Sequence, residues 1–141
     1  MSWVSLLLLA LAVSGGYLAW VWGPVYFVHV EAKTVVRDYM NQAIKNQNDD
    51  ALVLRMTQRL AALDEVNALD EDGTRVKVPA VDVKPEDVSW TRDADATPPT
   101  LRVAFTYRRN VEFPFLNRWV EHELSIDLTQ DLARADWGPA R

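Results

Sequence analysis

Two histidines and a pair of closely spaced glutamates are the groups in this chain best suited to moving protons: His29, His122, Glu121 and Glu123. Carboxylates that share a face can hold different pKa values and divide acid and base work between them, and imidazole titrates near neutral pH. Each group also has a plainer setting. Val120, His122, Leu124, Ile126 and Leu128 alternate with Trp119, Glu121, Glu123, Ser125 and Asp127. That period of two predicts a strand with one packed and one wet face. The glutamates fall on the wet face, where Glu is ordinarily found. His122 falls on the packed face, as a core imidazole satisfied by a neighbour, and His29 lies beside a long apolar run. Arg55 and Arg59, four residues apart on a helix, could hold an anion or a lipid headgroup. Like charges at that spacing more often share a solvated surface.

Asp70-Glu71-Asp72-Gly73 resembles part of a calcium loop. With Gly73 at the sixth position, the first ligand would be Ala68 and the twelfth Pro79, neither a carboxylate. An acidic turn is the better reading. The chain has no cysteine, which removes disulfides, zinc–thiolate sites and thiol catalysis. Its five glycines form no phosphate loop, and no serine stands in a nucleophile elbow. No residue is therefore singled out as catalytic, cofactor-binding or metal-ligating, and the expectation is a non-enzyme with no cofactor.

The element that positions everything else is Trp3 to Trp22, twenty residues without a charge. As a helix this run is about 30 Å long, the thickness of a hydrocarbon core. A lone span must be helical, because lipid offers its backbone no partners. Trp3 at one end and Tyr17, Trp20 and Trp22 at the other read as interfacial aromatic belts. A cleaved signal peptide is the competitor, but no Lys or Arg precedes the run, and the small-residue pattern Ala12-Val13-Ser14 is followed by more apolar chain. Ser14-Gly15-Gly16 offers only loose small-residue spacing for a helix–helix contact.

All fifteen basic and all twenty acidic side chains follow residue 30, so the remainder carries the whole net charge of −5. An acidic domain argues against a nucleic-acid footprint. Gly23-Pro24 predicts a kink or break. The pattern resumes at once: Val28, Ala32, Val35, Val36, Tyr39, Met40 and Ala43 follow helical spacing, predicting a helix from about Val25 to Lys45 that runs out of the membrane as an extension of the anchor. Asn48 or Asp49 caps a second helix with the stripe Leu52, Val53, Met56, Leu60 and Leu63. Asp64 to Arg75 reads as a polar loop. Val76, Val78 and Ala80 form an edge strand interrupted by Pro79, and Lys84-Pro85-Glu86-Asp87 a turn. Val88 to Thr91 is a short strand and Asp93 to Pro99 a loop. Leu101, Val103, Phe105 and Tyr107 form the inner face of a strong strand, whose Arg108 and Arg109 could pair with Glu121 or Glu123. After Thr129 the alternation ends. The expected class is α+β: a transmembrane anchor over residues 1–23, an α+β domain over 24–128 with two helices and a three- to four-stranded antiparallel sheet, and a flexible tail over 129–141.

The order of these features resembles a family of bacterial single-span membrane proteins known as domain of unknown function 4845. Pro24-Val25-Tyr26 leaving the membrane, the following helix and a helix beginning Asp49-Asp50-Ala51 carry the resemblance. It continues in Val83-Lys84-Pro85-Glu86-Asp87-Val88, the strand to Tyr107, Phe113-Pro114-Phe115-Leu116, and a last strand ending Ile126-Asp127-Leu128, so that it covers about residues 3 to 128. The resemblance implies a domain outside the cytoplasmic membrane and no assigned activity. Its members usually begin with a basic N-terminus, which Met1-Ser2-Trp3 lacks.

By elimination, the function expected is that of an envelope interaction or assembly scaffold. Its partners would be the lipid bilayer and another membrane or envelope protein, with no nucleic acid and no identifiable small-molecule substrate. The alternatives are a pilin-like subunit of an envelope filament or secretion assembly, and a membrane-associated enzyme. A processed pilin would carry a glutamate soon after its leader site, whereas the first acid here is Glu31. The location expected is the inner, cytoplasmic membrane. Lys33, Arg37 and Lys45 after the span draw the domain inward by charge, but they lie beyond a Debye length of about 8 Å, and the resemblance points outward. The outward orientation is the expectation.

Overall fold

The computed structural model of the chain describes residues 2–133. Its first element is one unbroken helix, α1 (Trp3–Gln42, 40 residues), about 60 Å long at 1.5 Å per residue. Ser2 caps it, its Oγ accepting the Ser5 N–H at 3.2 Å. The helix expected from Val25 as an extension of the anchor is the second half of α1, but it follows without the interruption that Gly23-Pro24 suggested. Pro24 removes a single N–H from the ladder, a loss that flanking turns and packed neighbours sustain. The helix also stops earlier than Lys45, in a turn over residues 43–45.

Burial divides α1 in two. Of its most apolar 18 residues only 6% are buried, and this is the one helix among the described residues long and apolar enough to cross a membrane. In the second half all seven residues of the expected stripe, Val28 to Ala43, are buried, with Val21 and Val25 extending it. Helix α2 (Asp49–Ala61) starts on Asn48, whose Oδ1 accepts the Ala51 N–H at 3.3 Å, and buries Leu52, Met56 and Leu60 in the core it shares with α1.

The polar loop expected from Asp64 to Arg75 is instead half of a hairpin. Strand β1 (Glu65–Leu69) pairs antiparallel with β2 (Arg75–Pro79), from Glu65 opposite Pro79 to Leu69 opposite Arg75. Only Asp70 to Thr74 turns. Asp70 Oδ1 accepts the N–H groups of Asp72 and Thr74, both at 2.9 Å, and Gly73 takes φ +79°, a region open to glycine. The acidic residues close this turn, and among the described residues no cluster of three or more His, Cys, Asp or Glu is placed to hold a metal ion.

A single 3-10 turn (Pro85–Asp87) leads into the second sheet, β3 (Ser89–Asp93), β4 (Thr100–Phe113) and β5 (Arg118–Asp131), in the order β3-β4-β5 and antiparallel throughout. Phe105 lies opposite Ile126, Arg109 opposite His122 and Phe113 opposite Arg118. Leu101, Val103, Phe105, Tyr107, Leu124 and Ile126 form the inner face, packed on the second half of α1. The fold is α+β, as expected, with a separate hairpin beside a three-stranded sheet. The tail begins later than residue 129, since Thr129 to Asp131 still pair with Arg102 to Thr100. Gln130, turned inward, is buried and donates to the Asn41 side chain, so a polar residue continues the packed face. Residues 134–141 of the expected tail lie outside the described residues.

One arginine ties the two helices to the sheet. Arg92 on β3 pairs with Asp49 at 2.6 Å and donates to the Ala43 and Asn46 carbonyls at 2.9 and 3.3 Å, closing the α1–α2 turn. Hydrogen bonds to charged groups contribute about 1.5–3 kcal/mol each at most, and this pair is partly wet. Arg92→Ala should therefore lower stability by about 2 kcal/mol, measured as a lower melting temperature of the full chain in mild detergent. An unchanged melt would mean that water replaces the guanidinium without loss.

Candidate functional site

The glutamates and the histidines lie on opposite faces of the sheet and do not converge. Glu121 and Glu123 stand on the outer face of β5, both exposed, and share Arg108 at 3.8 and 3.4 Å. Beside them run Arg102–Asp127 at 2.7 Å and a Thr106–Ser125 hydroxyl pair at 3.2 Å. The Arg102 guanidinium holds the Asp127 carboxyl below its usual range. These contacts form a cross-strand ladder on a solvated surface, where water and salt screen each pair and leave it a small part in stability. Arg55 and Arg59 lie on the exposed side of α2.

His122 is half-buried on the inner face, as its parity requires, edge-on to Trp22 (centroids 5.1 Å, 82°) and near Tyr26 (6.5 Å). His29, about two turns beyond the apolar run, shares a hydrogen bond of 2.8 Å between its Nδ1 and the Tyr107 hydroxyl. Burial, then the Lys33 and His122 charges, lowers the His29 pKa, and burial raises the Tyr107 phenol to about 12. Both are neutral at pH 7, and both lie between α1 and the sheet as packing groups.

Arg109 is the residue whose place sequence reasoning missed. Its charge suits a pairing with Glu121 or Glu123, but it shares odd parity with Leu101, Val103, Phe105 and Tyr107 and points inward, 7% exposed. Parity alone was the signal. Its guanidinium reaches the Pro24 carbonyl at 3.5 Å and Asp64 at 4.0 Å, and its Nε is buried with no hydrogen-bond partner among the described residues. Burial lowers its pKa, offset in part by Asp64 and Tyr107. The residue lines a cleft of about 270 Å³ between α1 at Trp20 and Pro24, Lys77 of β2, and Glu112 of β4. The cleft mixes two bases with two acids, Glu65 and Glu112, and Glu112 is already held by Arg75 at 2.6 Å.

The cleft belongs to a larger feature, the end of the domain that meets the apolar half of α1. There the β4–β5 hairpin is fastened directly to the helix. The Tyr17 hydroxyl donates to the Pro114 carbonyl at 2.6 Å, and Trp22 meets the Phe113 ring edge-on at 6.1 Å. The second hairpin is braced against the first, Arg75 lying 5.6 Å over the Trp119 ring. At the hairpin tip Phe115 is 92% and Leu116 60% exposed. Comparison with protein-family models, with curated proteins and with solved structures finds no match to this chain.

Proposed function

We propose that this chain is a single-pass protein of the inner, cytoplasmic membrane whose α+β domain works as an interaction or assembly module rather than an enzyme. The observation that carries the reading is the continuity of α1. The helix whose first half is apolar and bare is the same helix whose second half forms the domain's core. With the first half in a bilayer, the domain is held at one height and one tilt, with no linker to swing on. That geometry suits the presentation of a fixed surface to a neighbouring membrane protein. The histidines and carboxylates already serve packing and cross-strand pairing, which fits the same reading, as does the family resemblance.

The domain faces outward in this proposal. Lys33 and Arg37 ride on α1 at about 16 and 22 Å beyond Trp22, more than a Debye length from the bilayer edge, so their pull on topology is weak. A cysteine at Asp95, in the β3–β4 loop at the end of the sheet away from Tyr17, tests this. A membrane-impermeant thiol reagent should label it on intact spheroplasts; labelling only after lysis would place the domain in the cytoplasm. Cross-linking in intact membranes, followed by detergent solubilisation and pull-down of the full chain, tests the role. A stoichiometric membrane-protein partner is expected, and recovery of the chain alone would contradict an assembly module.

A second reading rests on the same helix. A long N-terminal helix with a bare apolar half and a sheet packed on the other half also suits a pilin-like subunit of a filament or secretion assembly. The same cross-linking separates the two, because a filament would return a ladder of this chain alone.

A further inference from the structure

We infer that the tip of the β4–β5 hairpin, Phe113-Pro114-Phe115-Leu116, enters the bilayer beside the span as a second, shallow membrane anchor. The inference rests on the span reading above, and the experiment below separates the failure of one from the failure of the other.

Position is the first argument. The tip is attached to the apolar run itself, through the Tyr17 hydroxyl and the Pro114 carbonyl at 2.6 Å. Tyr17 precedes Trp22, the last residue of that run, by five residues, or about 7.5 Å along the helix. If lipid surrounds α1 as far as Trp22, Pro114 sits several ångströms below the headgroup boundary. Amphipathic segments that lie in the interface reach about 5–10 Å into it, so the hairpin stands at that depth without any rearrangement.

Chemistry is the second. Phe115 and Leu116 point away from the protein, 92% and 60% exposed. In water that is an uncovered apolar pair at the end of an otherwise ion-paired strand. In lipid the pair is buried. Backbone groups entering lipid need partners, and this tip supplies several. Proline has no N–H, the Pro114 carbonyl accepts from Tyr17, and the Leu116 N–H donates to the Phe113 carbonyl at 3.2 Å. Around the tip stand groups suited to the headgroup layer. Arg118 is exposed at the base of β5, Trp119 carries the Arg75 guanidinium on its face, and Trp20 is 59% exposed on the helix. The three layers match a bilayer surface: apolar tip, aromatic and cationic collar, and polar domain above.

The chain has no cysteine, so single cysteines can carry an environment-sensitive NBD fluorophore in full-length protein reconstituted in phosphatidylcholine vesicles. Four positions carry the main comparison: Phe115→Cys and Leu116→Cys at the tip, Leu8→Cys in the span, and Asp95→Cys in the distal loop. Phosphatidylcholine bearing a nitroxide high on its acyl chain should quench the two tip labels, and aqueous iodide should quench them about threefold less than Asp95, as expected for groups in the interface. Leu8 should be quenched by a nitroxide deep in the chain. A quenched Leu8 beside tip labels as open to iodide as Asp95 would overturn the hairpin anchor and leave the span standing. Tip labels shielded from iodide yet untouched by lipid nitroxide would show a protein cover, a second copy or a partner, and would equally overturn it. An unquenched Leu8 would overturn the span reading and this inference together. To exclude capture of the tip by the fluorophore itself, the unlabelled double variant Phe115→Ser with Leu116→Ser should raise iodide access at an Arg118→Cys label while leaving the circular dichroism unchanged. No change at Arg118 would contradict the anchor.

Discussion

Replacing Phe105 with aspartate should unfold the domain and leave the chain in the membrane. Phe105 is 5% exposed, lies opposite Ile126 in the sheet and shares the core with Tyr107, ring centroids 6.3 Å apart. Removing a buried ring costs about 3–5 kcal/mol. Burying a carboxylate in its place adds several more, or forces the side chain out with its strand. A domain of this size has a total stability of about 5–15 kcal/mol, so the sum is comparable to all of it. The measurement is a melt, with limited proteolysis, of the full chain in mild detergent. A variant that melts with the wild type would mean that the inner face is off by one residue, since a slip of one exchanges the two faces of a strand.

Arginine at both Leu8 and Leu11 should do the opposite: free the chain from the membrane and spare the fold. Both side chains are 62% exposed, so neither supports the domain. Each arginine near the middle of a span opposes insertion by about 2.5–3.5 kcal/mol, roughly 5–7 kcal/mol for the pair. The fraction in the membrane pellet should fall sharply while the melting temperature of the domain stays within a few degrees of the wild type. Retention as complete as that of the wild type would show that the apolar half of α1 is held by something other than lipid.

The two substitutions act on different halves of one helix, which shows how much of this fold could be read from residues alone. The apolar run and the stripe from Val28 to Ala43 were legible because each follows a single physical rule, length against lipid and period against a core. Their succession was legible too, the second helix reading as an extension of the first, but not the absence of any break between them. Proline before Val25 signals a break in water, and only the packing of Val21 and Val25 on the sheet shows why the helix continues. The β1–β2 hairpin was hidden for another reason. Glu65-Val66-Asn67-Ala68-Leu69 alternates weakly and leans on a partner, β2, that itself contains proline. Gln130 concealed the end of β5, because a polar residue satisfied by Asn41 breaks an apolar pattern without breaking the strand. Arg109 shows the same effect from the other side. Its charge argued for the outer face and its parity for the inner, and parity was right. Among the candidate residues the separation of the outer glutamates from the inner His122 was legible from alternation alone. The clasp between Tyr17 and Pro114 was not, since it joins residues 97 apart.

The central claim is that α1 is one retained element, membrane anchor in its first half and domain core in its second. The most direct measurement is alkaline carbonate extraction of membranes bearing the wild-type chain, with the intact mass determined on the pellet. The account predicts that the protein stays in the pellet uncut, with the segment Trp3 to Trp22 still part of the chain. Release into the supernatant as a shortened species, cut near Ala12-Val13-Ser14, would contradict it.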